Sequence, residues 1–139
     1  MILKACENDI SEINILGKLL YENFEKTYLI NEYLKNENYI ILVSKSDHVE
    51  GFVIFYKNID FFELELIIIS EQSRNKGIAS NLIQTFITEY CKIGDEIILE
   101  VSDKNKIAIK LYEKYGFQTI NIRKNYYNDS DAYVMKKVI

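Results

Sequence analysis

The chain has 139 residues, 48% of them apolar and 13% aromatic, with a formal net charge of −4. That length suits one domain, residues 1–139, with one core, and the charge argues against a general nucleic-acid binder while suiting a cationic substrate. No apolar stretch approaches a membrane span, and the N-terminus lacks the basic-then-apolar pattern of a secretion signal.

In chain order, Ile2 to Ala5 reads as a short strand. Asn8 or Asp9 can cap a helix running to about Phe24, with Ile10, Ile13, Leu16 and Leu20 on one face. Thr27 to Lys35 reads as a second, short helix. Tyr39 to Ser44 and Val49 to Tyr56 form a hairpin around Ser46-Asp47-His48, and Phe61 to Ile69 continues the meander. Ser80 to Tyr90 has helical spacing in Leu82, Ile83, Phe86 and Ile87, and Glu96 to Ser102 is a strand. Ile107, Leu111 and Tyr115 mark a helix that stops at Gly116, and Phe117 to Arg123 and Ala132 to Val138 are the last strands. The order predicts an α+β fold, an α/β sandwich around a mixed sheet.

Cys6 and Cys91 are far apart and show no metal-ligand spacing, so they read as reduced, packed thiols of a cytoplasmic protein. No metal, membrane or nucleic-acid partner is expected, and nothing sets an oligomeric state. His48 reads as a surface residue of the hairpin turn, and Glu22, Glu25, Glu32 and Glu37 as a solvated face.

The most informative segment is Arg74-Asn75-Lys76-Gly77-Ile78-Ala79. It leaves the apolar strand Leu64 to Ile69 and opens a helix, which presents unpaired N–H groups at the positive end of the helix dipole. Such a loop accepts phosphate. Gly77 allows close backbone approach, Ala79 keeps the helix start uncrowded, and Arg74 and Lys76 add charge. Neither of the two better-known glycine-rich phosphate loops is present.

Arg74, Gly77 and Ala79 fill the pattern of the pyrophosphate loop that binds acetyl-CoA in the GNAT superfamily of N-acetyltransferases, and the chain resembles that superfamily here. A more specific resemblance follows: Leu99-Glu100-Val101, Asn105, Ala108, Leu111-Tyr112 and Gly116-Phe117 match the block L-E-V-x-x-x-N-x-x-A-x-x-L-Y-x-x-x-G-F. The ending Arg123-Lys124-Asn125-Tyr126-Tyr127, then Asp131-Ala132 and Met135, is similar to that of the ribosomal-protein-alanine N-acetyltransferases of the RimI type.

The resemblance implies a mostly antiparallel mixed sheet splayed at its fourth and fifth strands, with helices on both faces. It implies acetyl-CoA as co-substrate and the N-terminal alanine of a small-subunit ribosomal protein as acceptor. It assigns Glu100 as general base and Tyr112 as general acid. Acetyl-CoA contacts fall to Ile67, Ile68, Ile69, Arg74, Asn75, Lys76, Gly77, Ile78, Ala79, Ser80 and Asn105, with the Ile69 N–H polarising the thioester carbonyl. Tyr126 and Tyr127 would line the peptide groove. Each of these residues also has a plainer reading: Glu100 as an outward strand residue, Tyr112 as a packed helix aromatic, the tyrosine pair as a strand-end cluster.

An α-amine, with a pKa near ~8 against ~10.4 for lysine, asks less of a carboxylate base. An acetyltransferase acting on lysine, a polyamine or another small amine, and a non-catalytic acyl-CoA-binding module, are the alternatives. Two departures stand out: Ser70-Glu71 replaces the family's Asp-Pro, and the chain has no Trp.

Overall fold

The computed structural model describes residues 1–139. Seven strands make one sheet: β1 Ile2–Lys4, β2 Tyr39–Lys45, β3 Val49–Lys57, β4 Phe62–Ile69, β5 Glu96–Ser102, β6 Gln118–Tyr127 and β7 Ser130–Val138. Five helices join them: α1 Ile10–Leu20, α2 Phe24–Thr27, α3 Ile30–Leu34, α4 Ile78–Tyr90 and α5 Lys106–Lys114. The strand order is β1-β2-β3-β4-β5-β7-β6. All neighbours are antiparallel except β4 and β5, which run parallel.

The helices cover both faces of the sheet. On one face Leu82, Ile83 and Phe86 of α4 and Ile109 and Tyr112 of α5 meet Phe55, Phe62, Leu64 and Leu99. On the other, Ile13 and Leu16 of α1, Phe24 of α2 and Ile30 of α3 meet Ile41, Phe52, Ile54, Leu66 and Ile68. Strand residues two apart normally share a face, yet Leu64 and Leu66 belong to opposite layers. The register explains it: Phe55 pairs Leu64 and Ile54 pairs Leu66, leaving Glu65 as an extra residue. This β-bulge switches the face that β4 presents.

The bulge sits where the sheet opens. β4 and β5 pair only at Phe62–Ile97, Glu63–Ile98 and Leu64–Leu99. Beyond that rung the strands part, and their C-terminal halves flank a gap.

Local structure departs from expectation at several places. The first helix ends at Leu20, not near Phe24, because Gly17 leaves room for the Phe24 ring against the helix backbone. A single turn, α2, follows, and the second expected helix shrinks to Ile30–Leu34. In α5 the buried residues are Ile109 and Tyr112, whereas Ile107 is 86% exposed. Cys6 is exposed rather than packed, while Cys91 is partly buried and packs on the core.

Candidate active site

A cleft of about 520 Å³ lies at the opening between β4 and α5. Its walls include Ile67, Ile68, Ile69, Arg74, Asn75, Gly77, Ile78, Ala79, Ser80 and Asn105. Leu20, Ser73, Ile107, Ala108 and Leu111 complete the lining and were not anticipated. Leu20 and Ile107 are exposed apolar residues at its rim, which suits an acyl or pantetheine chain. Lys76 is not among the lining residues. Ile68 buries its side chain in the opposite layer.

The loop is built to leave donors free. Glu71–Ser73 turns as a short 3₁₀ segment without proline. Arg74 Nε donates to the Ile69 carbonyl at 3.3 Å, tying the loop to the end of β4. Asn75 and Gly77 adopt positive φ, 64° and 76°. No side chain caps the start of α4, and its first turn carries no acid. The N–H groups of Ile78, Ala79 and Ser80 are therefore available to an anion.

The gap also frees donors on β4. Ser70 N–H donates to the Glu50 carbonyl on β3. Successive N–H groups of a strand point to opposite sides, so those of Ile67 and Ile69 face the gap. Asn105 caps α5 by accepting from Ala108 N–H through Oδ1 at 3.2 Å, and it also lines the cleft.

Glu100 and Tyr112 stand on opposite sides of β5, and neither is among the residues that line the cleft. Glu100 follows Leu99 and faces away from the α4–α5 layer. Its side chain is 26% exposed, and Oε1 lies 3.1 Å from Arg123 Nη1. Tyr112 is 5% exposed and packs edge-on against Phe117. Burial, aided by nearby Tyr21 and Tyr127, pushes its pKa up to about 12, so the phenol keeps its proton.

The aromatic ending takes an unexpected shape. β6 extends to Tyr127, with a register shift between Arg123 and Tyr127. Asn125 has φ 54°, and its N–H donates to Asp131 Oδ1 at 2.8 Å. Lys124 Nζ reaches Asp131 Oδ2 at 3.3 Å. The Asn125 N–H and Lys124 hold the Asp131 carboxyl below its ordinary pKa. Tyr126 and Tyr127 meet edge to face at 5.2 Å, and Arg123 sits over the Tyr126 ring at 5.5 Å. Burial, then the Glu100 charge, raises the Tyr127 pKa. The roles of Arg123 and Asp131 escaped the sequence reading. Both lie in the matched ending, but their partners are on other strands.

Comparison with known proteins gives the family and the fold. Residues 8–117 match the acetyltransferase (GNAT) family. The ribosomal protein bS18-alanine N-acetyltransferase of Escherichia coli K12 is 31% identical over 110 residues, 78% of this chain and 72% of that protein. An N-alpha-acetyltransferase of Sulfurisphaera tokodaii is 28% identical, covering 96% of this chain and 90% of its own. The crystal structure of the Escherichia coli ribosomal-protein-S18-alanine N-acetyltransferase superposes with a TM-score of 0.87 at 27% identity, over 100% of this chain and 93% of that one.

Proposed function

The chain belongs to the acetyltransferase (GNAT) family, and on that premise we propose that it acetylates the N-terminal α-amine of a protein, alanine first, with a small-subunit ribosomal protein as acceptor in the cytoplasm. As a family member it is an N-acetyltransferase that uses acetyl-CoA. The observation that carries the acceptor reading is the stapled Tyr126–Tyr127 bulge, linked to Glu100 through Arg123, which pairs with Glu100 and lies over the Tyr126 ring. It gives the reacting carboxylate an aromatic wall suited to an extended chain end. The names of the relatives, α-amine acetyltransferases in both cases, point the same way.

In this reading acetyl-CoA seats its pyrophosphate on the N–H groups of Gly77 to Ser80. Arg74 keeps that loop in shape, and Asn75 and Asn105 contact the ligand. The pantetheine arm follows Ile67, Ile68 and Ile69, and the Ile69 N–H polarises the thioester carbonyl. Glu100 takes the proton from the acceptor ammonium, directly or through water. The free amine attacks the carbonyl carbon, the carbon–sulfur bond breaks, and Tyr112 hydrogen-bonds the leaving sulfur and supplies its proton. The whole chain, residues 1–139, acts as one domain.

The test is thiol release from acetyl-CoA with a free-N-terminal alanine peptide, followed by mass spectrometry of the product. Acetyl on the α-amine is expected. Faster turnover of a blocked peptide's lysine, or of a polyamine, would overturn the acceptor assignment. Glu100→Gln and Tyr112→Phe are each expected to lower kcat by about 10²–10⁴-fold, with acetyl-CoA affinity kept by calorimetry. Unchanged kcat in both would remove their assigned roles.

A further inference from the structure

The formal charge of −4 averages two unlike parts of the chain. Residues 1–103 carry 18 acidic and 9 basic side chains, whereas residues 104–139 carry 3 acidic and 8 basic ones. The second part holds α5, β6 and β7. A whole-chain charge excludes a nucleic-acid partner only where that charge is spread evenly.

Four of the eight cations are matched within the chain. Lys104 pairs with Asp129, Arg123 with Glu100, Lys124 with Asp131 and Lys136 with Glu96. The other four, Lys106, Lys110, Lys114 and Lys137, form no ion pair. They share one surface. α5 turns Ile109 and Tyr112 to the core and Ile107, Ala108 and Leu111 to the cleft. Lys106, Lys110 and Lys114 recur at every fourth residue on the remaining face, and all three are exposed. Lys137 reaches the end of this row: a Cβ on Gly116, just past the helix, would come within 2.9 Å of its Nζ.

Local physics disfavours the arrangement. Like charges one turn apart repel and weaken a helix. Lys106 also stands in the first turn, which carries no acid, where a cation opposes the helix dipole. Glu113, the one acid of α5, pairs with none of the four. The row adds nothing to packing, so what it fits is an anion from outside the chain.

A phosphate backbone suits it better than an acidic protein face. The row consists of lysines alone, which bind phosphate as point charges. It carries no arginine or aromatic anchor of the kind that holds protein interfaces, where lysine is depleted. It runs about 12 Å along the helix, long enough to follow several successive phosphates of one strand.

We propose that the α5 lysine row, with Lys137 at its end, docks on the phosphate backbone of a structured RNA and holds the enzyme beside its acceptor. The inference rests on the ribosomal-protein acceptor proposed above, since such a protein is met next to RNA. The cleft opens on the neighbouring face of α5, so docking through this row keeps the co-substrate site clear.

The experiment is fluorescence anisotropy of a labelled RNA stem-loop with the full chain at about 50 and about 200 mM salt. Affinity is expected to fall about 20- to 40-fold over that range, as three neutralised phosphates require. Lys106→Glu, Lys110→Glu and Lys114→Glu together are expected to lower it at least about tenfold at the lower salt. Calorimetric CoA affinity and acetylation of the free alanine peptide stay unchanged in that variant. Lys4→Glu, Lys26→Glu and Lys35→Glu together alter the net charge equally, on β1, α2 and the end of α3. They are expected to leave RNA affinity within about twofold. An equal loss in both triple variants, or none in the first, would overturn the proposal. Charge-matched polyglutamate bound more tightly than the RNA would overturn RNA as the occupant. A loss of CoA affinity in the α5 variant would assign the lysines to the co-substrate and overturn the docking. RNA affinity that depends on the α5 lysines, in a wild-type chain that does not acetylate the alanine peptide, supports the docking and overturns the α-amine reading alone.

Discussion

Two carboxylates just past the last β4–β5 rung differ in how their charge is met. Glu100 is ion-paired to Arg123, and Glu65 has no partner. With Glu100 in its proposed role as base, Arg123 would compete with the incoming ammonium, and the Tyr126 ring offers its guanidinium another resting place. Asp131 acts one step further out, holding the backbone that carries Tyr126 and Tyr127. Asp131→Ala is expected to raise KM for the peptide about three- to tenfold while KM for acetyl-CoA stays put, as steady-state kinetics with each substrate varied would register. A parallel rise in both constants would mean general damage. Tyr112 gives a pH prediction. With its pKa raised to about 12 it stays neutral across the working range, so no alkaline loss of kcat below about pH 11 should trace to it. A limb near pH 9 that vanishes in Tyr112→Phe would contradict this.

At the scale of elements, the sequence shows most clearly where one periodicity dominates. The meander β2–β3–β4, the phosphate-loop helix α4 and strand β5 lie within a few residues of their expected bounds, because each buries a regular apolar pattern. Two of the misses share one cause, a contact made across a turn by the segment that follows. The end of α1 depends on the Phe24 ring lying over Gly17, and a Cβ there would come within 2.3 Å of it. Gly17→Ala, which helps an isolated helix by about 1 kcal/mol, is therefore expected to destabilise this one by about 1–3 kcal/mol in urea unfolding. The extension of β6 to Tyr127 depends on Asp131 pinning a bulge that hides its alternation. In α5 the spacing picked Ile107, but the core takes Ile109 and Tyr112 and leaves Ile107 on the cleft. Motif resemblance named the candidate cofactor loop and the candidate pair, Glu100 and Tyr112. It did not reveal Arg123 as a counter-ion or Glu65 as an unpaired acid, since both depend on what lies across the sheet.

For the molecule as a whole, the unpaired Glu65 ties stability to pH. Its pKa is about 7 folded against the ordinary 4.5. Between those values the folded chain holds a proton that the unfolded chain has released, so stability falls as pH rises through that window. The loss is fully present above pH 7. Allowing for the screening of a half-exposed group, it amounts to about 1–2 kcal/mol. Glu65→Gln should flatten this slope and be the more stable protein at pH 8, with little difference at pH 4.5, by urea titration at both. A wild-type chain that gains stability from pH 5 to pH 7 by as much as Glu65→Gln does would exclude this linkage.

The three rungs between β4 and β5 carry a consequence of their own. They are the seam between a four-stranded leaf, β1 to β4, and a three-stranded leaf, β5 to β7. A seam that short lets the leaves breathe against each other, and a guest lodged in the gap would act as a rivet. Amide exchange along the seam then becomes a gauge of occupancy: quick in the empty protein, slow once the co-substrate spans both leaves.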